Sequence, residues 1–216
     1  DSEILENIRY EGQNKNLFKF QIANELSTLI GDLLFRNWDS QSVEVRKEFF
    51  IWLENNQWVN DYSIFSVLKE QYNLLPWWEW PEEFRDKDKI KLDLWTKHNK
   101  NKLLIKKLVQ WHLHRQWLNI KNFSVLRGVK LIGDIPFYVS RDSVDVWSNK
   151  SLFSISEKGE LIFQSGVPPD YFSSTGQLWG TPVYEWSQHT IDDFDWWKKR
   201  FRRQFELVDI LRLDHF

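Results

Sequence analysis

Cysteine is absent from the 216-residue sequence, which excludes disulfides, thiolate metal ligands and cysteine nucleophiles. Excess charge is also nearly absent, since 29 Lys and Arg face 31 Asp and Glu for a net charge of -2. Proteins that bind nucleic acid or anionic membrane surfaces usually carry a strong basic excess, so we expect neither partner. No run reaches the roughly 20 apolar residues of a membrane-spanning helix, and no signal-peptide pattern opens the chain. These absences predict a cytoplasmic protein.

Methionine is missing as well, so the chain does not begin with an initiator residue. The last residues, 211–216, are apolar with charges set among them, whereas chain ends are usually polar. Both observations predict that the sequence is a fragment of a longer protein, cut at both ends.

Tryptophan is abundant, with 14 residues in an aromatic fraction of 17%. Large rings fill cores well, and we expect about two thirds of them to be buried. Tryptophans left on the surface suit ligands that have flat apolar faces, such as pyranose sugars. Nucleobases are the other such class, and the charge balance disfavours them.

Helical spacing of apolar residues dominates the first 125 residues. It predicts helices over residues 17–33 and 49–58, a helix that begins at Ile64 after an N-cap at Asp61, and a long charged helix from Phe84 to about Asn122. Two prolines in the segment Pro76–Pro81 predict a tryptophan-rich loop. We assign residues 1–125 to a mainly helical region.

Residues 126–216 have a different pattern. The apolar run Val129–Val139 predicts a strand buried on both faces, and residues 207–213 predict a second one. Between them lie a long turn-rich segment, Ser165–Gly180, and a helix capped by Asp192 with an aromatic face. Strand, loop, helix and strand in this order indicate a βα unit of a parallel sheet, and therefore an α/β fold.

Two carboxylates stand late in these strands, Asp134 and Asp214, where α/β barrels carry catalytic groups. Arg212 precedes Asp214 by two residues, so strand alternation points both side chains the same way and favours an ionised carboxylate, as a nucleophile requires. A purely structural ion pair explains this spacing equally well. His215 either contacts a substrate or merely ends the strand.

Other chemistries have little support. His112 and His114 point in different directions on a helix, so we expect no metal pair there. The basic residues 198–203 interleave with an apolar helix face and indicate a solvated surface. The sequence contains no GxGxxG, Walker or GxSxG motif.

Four motifs together resemble those of the 4-α-glucanotransferases of glycoside hydrolase family 77, the amylomaltases or disproportionating enzymes. They are Gly133–Val139, Asp142–Trp147, Gly166–Gly180 and Arg212–Phe216. A looser likeness covers Trp58–Tyr62, Trp78–Pro81 and Gln116–Trp117. The resemblance extends over about residues 45–216 and implies part of a (β/α)8 TIM barrel of the α-amylase superfamily with a helical insertion subdomain.

The resemblance also implies roles for individual residues. Asp214 matches the catalytic nucleophile, Arg212 its arginine partner, and Asp134 a carboxylate that lines the cleavage subsite. The segment Pro168–Gly176 matches a flexible loop over the glucan chain. Its motif supplies the remaining expected substrate contacts, Asp170, Tyr171, Phe172, Gln177 and Trp179. For the loop, structural packing alone is the alternative.

The implied reaction moves α-1,4-glucan segments to the 4-hydroxyl of another glucan or of glucose by retaining double displacement. Retention needs two carboxyl groups about 5–5.5 Å apart. The family's acid/base Glu would lie beyond Phe216, so we expect this chain alone to be inactive. The expected substrates are maltooligosaccharides and starch or glycogen-type glucans. The implied reaction needs no metal or organic cofactor. A plant or algal source would place the protein in plastids. An α-amylase-type hydrolase and a noncatalytic carbohydrate-binding fragment remain alternatives.

Overall fold

The structure, a computed structural model, describes residues 20–171 and 173–214. Predictions for residues 1–19, Phe172, His215 and Phe216 lie outside the described residues. The chain divides into two units, residues 1–63 with 99–113 and residues 64–98 with 114–216. The functional division proposed at residue 125 stays a prediction.

The described elements are helices and short strands in one mixed α/β chain. The helices are α1 (Phe20–Arg36), α2 (Val43–Asn55), α3 (Trp58–Gln71), α4 (Glu82–Arg85), α5 (Lys89–His98), α6 (Lys100–Val125), α7 (Val144–Ser148), α8 (Trp186–Ile191) and α9 (Asp195–Leu207). The strands are β1 (Ile132–Pro136), β2 (Gln164–Val167), β3 (Gln177–Pro182) and β4 (Ile210–Asp214), and 3-10 turns form at Trp77–Glu79 and Lys150–Leu152.

The first unit is built on an aromatic helical core. Ser42 begins α2, because its hydroxyl accepts a hydrogen bond from the Val45 N–H at 3.3 Å. The rings of Trp38 and Phe49 meet edge to face with centroids 4.9 Å apart, a favoured aromatic geometry. The buried residues of this core are Trp38, Phe49, Trp52, Val59, Leu108 and Trp111.

Three helix predictions are wrong in their boundaries. The helix predicted over residues 49–58 is α2, which covers Val43–Asn55. Helix α3 already begins at Trp58, so Asp61 lies in its first turn, where a carboxylate also favours the helix dipole. The helix predicted from Phe84 to Asn122 is three helices. Lys87 adopts a left-handed φ of 55° after α4, and the Asp88 carboxylate then accepts the Lys91 N–H at 3.0 Å to start α5.

The second unit has a core in which buried indole rings find hydrogen-bond acceptors. Trp77 and Trp80 belong to the predicted loop Pro76–Pro81, which indeed forms only a 3-10 turn, yet both rings are buried. The Trp77 Nε1–H donates to the Arg141 carbonyl at 2.7 Å, and that of Trp147 to the Phe84 carbonyl at 2.9 Å. Seven of the 14 tryptophans are buried, which is fewer than the expected two thirds, and four more are half-buried.

The parallel βα unit is confirmed, because β1 pairs in parallel with β4 while β2 and β3 form an antiparallel hairpin. The predicted burial of the two parallel strands is wrong: in β1 only Ile135 is buried, and no residue of β4 is. A parallel strand is buried on both faces only when other elements cover both faces. In the described part of the chain the sheet has two strands, and α9 packs on both of them.

The start of α9 also differs from its prediction. The Asp192 N–H donates to the carbonyls of Gln188 and Thr190, so Asp192 ends α8. Phe194, in a left-handed conformation with φ of 57°, occupies the N-cap position of α9. Acidic residues are common at both kinds of helix boundary, and sequence alone does not separate the two.

The packing around Trp77 yields a stability prediction. Gly159 has φ of 84°, and a Cβ there would clash with the Trp77 ring, whereas Gly128, with φ of 68°, has open space around it. We expect Gly128→Ala to lose about 1–2 kcal/mol from the left-handed backbone alone. Gly159→Ala should lose about 1–3 kcal/mol more from overpacking. Urea unfolding of both variants measures the difference, and equal losses would contradict the tight contact.

Candidate active site

The three charged residues predicted from the strand ends come together. The register of the parallel pair sets Asp134 opposite Arg212 and Pro136 opposite Asp214. Asp134 and Arg212 are 78 residues apart in sequence, and the pairing of β1 with β4 makes them neighbours. These side chains stand at the carboxyl ends of parallel strands, the edge where α/β proteins place their ligands.

Arg212 bridges the two carboxylates unequally. Its Nε and Nη2 donate to the two oxygens of Asp134 at 2.5 and 2.6 Å, while Nη2 lies 3.4 Å from Asp214 Oδ1. The predicted pairing of Arg212 with Asp214 therefore exists, but the planar fork of the guanidinium is engaged by Asp134. All three side chains are open to solvent, with exposed fractions of 62% for Arg212, 54% for Asp134 and 36% for Asp214.

This bridge fixes the charge state of one carboxylate. The hydrogen bonds from Arg212, assisted by its charge, lower the pKa of Asp134 below its ordinary value. Reciprocally, Asp134 first and Asp214 second raise the pKa of Arg212. The site therefore holds an ionised carboxylate and a permanent cation at neutral pH.

An aromatic concavity follows β1 directly. Its volume is about 260 Å³ and its lining residues are Pro136, Phe137, Tyr138, Trp179 and Thr181. The rings of Tyr138 and Trp179 have centroids 6.1 Å apart. Gln177 accepts a hydrogen bond from the Trp179 Nε1–H at 3.1 Å, which places two of the predicted substrate contacts together.

Thr181 was missed from the sequence, although strand alternation puts it on the same face of β3 as Gln177 and Trp179. Arg200 was also missed, because it lies in the basic run predicted to be solvated. That prediction is correct for Lys198 and Lys199, which are exposed and pair with Asp193 and Asp195, whereas Arg203 is half-buried between Glu206 and His114. Arg200 instead donates to main-chain carbonyls at the end of β1.

The predicted functional loop, Pro168–Gly176, connects β2 and β3. Asp170 closes it locally, since its Oδ1 accepts the Ser173 N–H at 2.8 Å and its own N–H donates to the Ser173 carbonyl at 2.9 Å. Tyr171 is 98% exposed. Phe172 and His215, both predicted substrate contacts, lie outside the described residues.

The glycines at the two ends of the loop, Gly166 and Gly176, lie where the backbones of β2 and β3 approach each other closely. A Cβ at Gly166 would clash with the Gln177 carbonyl, and one at Gly176 would lie 2.6 Å from the Val167 carbonyl oxygen. They allow close strand approach at the base of the hairpin. The loop therefore projects from a tightly packed base.

One of the two histidines considered earlier, His114, lies against a cation. His114 Nδ1 lies 3.0 Å from the Arg203 guanidinium, and burial together with that charge lowers its pKa. Across residues 20–171 and 173–214, no three His, Cys, Asp or Glu side chains are grouped to hold a metal ion. None of the helices in these ranges is long and apolar enough to cross a membrane.

Comparison with known proteins places this geometry in a family. The sequence pattern described as 4-alpha-glucanotransferase, glycoside hydrolase family 77, matches residues 3–216. The chain belongs to this glucanotransferase family. The resemblance seen in the four motifs is thereby confirmed.

Individual relatives agree with the family match. The 4-alpha-glucanotransferase of Clostridium butyricum is 32% identical over 100% of this chain and 45% of its own length, and that of Synechocystis sp. is 40% identical over 74% and 32%. The relative from Solanum tuberosum, 37% identical over 74% of this chain and 28% of its own length, is named as chloroplastic/amyloplastic. The chain thus spans less than half the length of these relatives.

A solved glucanotransferase has the same fold over nearly the whole chain. The amylomaltase from Streptococcus agalactiae in complex with acarbose superimposes with a TM-score of 0.85 at 28% identity. The match covers 98% of this chain and 45% of the amylomaltase chain.

The arginine bridge predicts a titration change. Because Arg212 lowers the pKa of Asp134, the pair stabilises the fold above the ordinary Asp pKa and loses this effect as the pH falls through the lowered value. In Arg212→Ala we expect the pKa of Asp134 to rise toward about 3.9. Carbon-13 NMR titration of the aspartate carboxyls measures it.

Asp86 is an internal control in the same spectra. Its pKa is lowered by Arg85 and Lys150, which the substitution leaves in place. Movement of Asp86 together with Asp134 would indicate a general change of structure. An unmoved Asp134 would contradict the bridge.

Proposed function

We propose that the full-length protein is a 4-α-glucanotransferase that moves α-1,4-glucan segments to the 4-hydroxyl of an acceptor glucan or glucose. The observation that carries the proposal is the family match over residues 3–216, which includes the strand ends with Asp134, Arg212 and Asp214. The proposed fold of the complete protein is an interrupted (β/α)8 barrel of the α-amylase superfamily. The parallel β1–β4 pair and the similarity to the amylomaltase support it.

Asp214 is the proposed nucleophile. One of its carboxylate oxygens attacks the anomeric carbon, the glycosidic C–O bond breaks, and a covalent glucosyl-enzyme forms. Arg212 contributes positive charge 3.4 Å from this carboxylate, while its fork is engaged by Asp134. Asp214 thus lies beside a positive charge without being held by two short hydrogen bonds, which would reduce its reactivity.

Asp134 is not suited to be the proton donor. The leaving oxygen needs a carboxylic acid that is protonated near neutral pH, and Arg212 lowers the pKa of Asp134 instead. We therefore assign Asp134 to binding at the cleavage subsite. The acid/base group must be supplied by another residue of the full-length protein. It protonates the leaving oxygen and then takes the proton of the acceptor hydroxyl that displaces Asp214 from the anomeric carbon.

The proposed substrates are maltooligosaccharides and starch or glycogen-type glucans. The concavity of Tyr138 and Trp179 offers apolar ring faces beside the charged strand ends, a combination that fits the apolar faces and hydroxyl edges of pyranoses. Gln177 and Asp170 are the proposed hydroxyl partners. The reaction uses no metal or organic cofactor.

The loop Pro168–Gly176 is proposed to shield the glucosyl-enzyme from water. A large aromatic side chain that is 98% exposed, as Tyr171 is, has surface available for a bound chain. Water excluded from the intermediate favours capture by an acceptor sugar over hydrolysis. Phe172 is assigned to the same surface from its position in the motif.

The nucleophile assignment is tested in the full-length protein with Asp214→Asn. The amide keeps the shape but does not attack, so we expect conversion of maltotriose into longer and shorter maltooligosaccharides to fall by roughly 10³-fold or more. Acarbose binding, measured by calorimetry, should persist.

Asp193→Asn is the matched control, because Asp193 is an exposed residue with φ of 53°, a conformation that Asn also tolerates. It should retain wild-type turnover. If Asp214→Asn kept more than about a tenth of the wild-type rate, equivalent to about 1.4 kcal/mol of barrier, Asp214 would not be the nucleophile.

The shielding role is tested with Tyr171→Ala. Hydrolysis creates a new reducing end, whereas transfer between glucans conserves their number, so one reaction on maltotetraose reports both. We expect the ratio of hydrolysis to transfer to rise roughly 2-fold to 10-fold, more than total turnover falls.

Ile90→Ala, which removes another highly exposed apolar side chain, from α5, should leave the ratio unchanged. An unchanged ratio of hydrolysis to transfer in Tyr171→Ala would mean that the loop does not shield the glucosyl-enzyme from water. A ratio dominated by hydrolysis already in the wild type would favour the hydrolase alternative.

A further inference from the structure

Arg200 turns toward the sheet, whereas Lys198, Lys199 and Arg203 of the same helix pair with carboxylates. It lies in α9 between Lys199 and Phe201, and its guanidinium is 5.2 Å from the ring centroids of both Trp196 and Trp197. Its Nη2 donates to the Pro136 carbonyl at 2.6 Å and its Nη1 to the Phe137 carbonyl at 3.3 Å. The planar guanidinium of Arg200 thus donates hydrogen bonds to two successive carbonyl oxygens at the carboxyl end of β1.

These hydrogen bonds continue to the opposite strand. The Pro136 carbonyl and the Phe137 N–H belong to one peptide group, and that N–H donates to the Asp214 carbonyl at 3.0 Å. An unbroken series therefore runs from Arg200 through the Pro136–Phe137 peptide to the backbone of Asp214. Hydrogen bonds in series polarise and strengthen one another, most of all when a charged donor begins the series.

Surrounding groups hold Arg200 in this position. Tyr184, which is buried, donates to the same Phe137 carbonyl at 2.5 Å and interacts electrostatically with Arg200. Asp145 in α7 supplies a compensating negative charge. Burial lowers the pKa of Arg200 and raises that of Asp145, and their mutual attraction opposes both shifts.

We propose that Arg200 is a positioning residue, which fixes the spacing of Asp134, Arg212 and Asp214 by locking the carboxyl ends of β1 and β4 to each other. The peptide that Arg200 holds begins two residues after Asp134 and is bonded to the backbone of Asp214 itself. Arg200 has no contact with either carboxylate in the structure and acts through the main chain. The expected effect of Arg200 on catalysis rests on the proposed function of Asp214. The hydrogen-bond series itself does not depend on that function.

We expect that lysine at position 200 does not reproduce the hydrogen bonds of Arg200. Its ammonium preserves the charge but is a point donor, so it does not span two carbonyls with a planar fork. In the full-length protein we therefore expect Arg200→Lys to lower kcat for maltotriose disproportionation roughly 10-fold to 100-fold, because a small misplacement of reacting groups is costly. KM should change by less than about twofold, since the sugar-binding side chains are untouched.

Hydrogen–deuterium exchange of peptides that contain Phe137 gives a readout independent of activity. In Arg200→Lys we expect the Phe137 amide to exchange about tenfold faster or more, because its hydrogen bond to Asp214 is loosened. The matched control is Arg203→Lys in the same helix, whose guanidinium contacts Glu206 and His114. It should leave both exchange and kcat at wild-type values.

The outcomes separate the inference from the proposed function. Unchanged exchange at Phe137 in Arg200→Lys overturns the inference, as does faster exchange with kcat equal to that of Arg203→Lys. A wild-type protein with no action on glucans refutes the proposed function and with it the catalytic part of the inference, and exchange then decides the hydrogen-bond series alone. If Arg200→Lys does not fold, Arg200→Gln replaces it, and failure of both to fold would assign Arg200 to stability instead of positioning.

Discussion

The parallel pairing of β1 with β4 brings together side chains that the chain keeps 78 residues apart. A register shift of one residue would turn Arg212 to the other face of the sheet and separate it from Asp134. Everything else near the strand ends depends on this alignment. The aromatic concavity begins at Pro136, opposite Asp214, and the hairpin that carries Trp179 forms its other side.

Local rules predicted the parts of the site that lie close in sequence. The two-residue spacing of Arg212 and Asp214 places them on one face of any strand, and the structure shows them 3.4 Å apart. The closer partner, Asp134, could not be assigned in this way, because strand register is a property of the assembled sheet. Arg200 was missed for a related reason: its partners are main-chain carbonyls, which carry no sequence signal. Arg200 follows the buried Trp197 by three residues in one helix, and this spacing was the available indication that both side chains lie on the same face.

Helix boundaries show why local signals were ambiguous. Asp61 and Asp192 were both interpreted as N-caps, yet the first lies within the first turn of a helix and the second ends one. Short acidic side chains suit each of these positions, so their presence marks a boundary region without fixing the residue. Strand burial failed for a different reason. An apolar run indicates that a strand is suited to burial. Whether the strand is buried depends on helices or strands from elsewhere in the chain that pack on its two faces.

The tip and the base of the hairpin loop closed by Asp170 and Ser173 differ in how well they tolerate substitution. Asp170 and Ser173 form hydrogen bonds within the loop, and the glycines at its base fit the strands closely. Substitutions of exposed side chains at the tip, such as Tyr171, therefore cost little folding free energy. Gly166 and Gly176, in contrast, leave no space for a larger residue, so the base of the hairpin is fixed while side chains at its tip can vary.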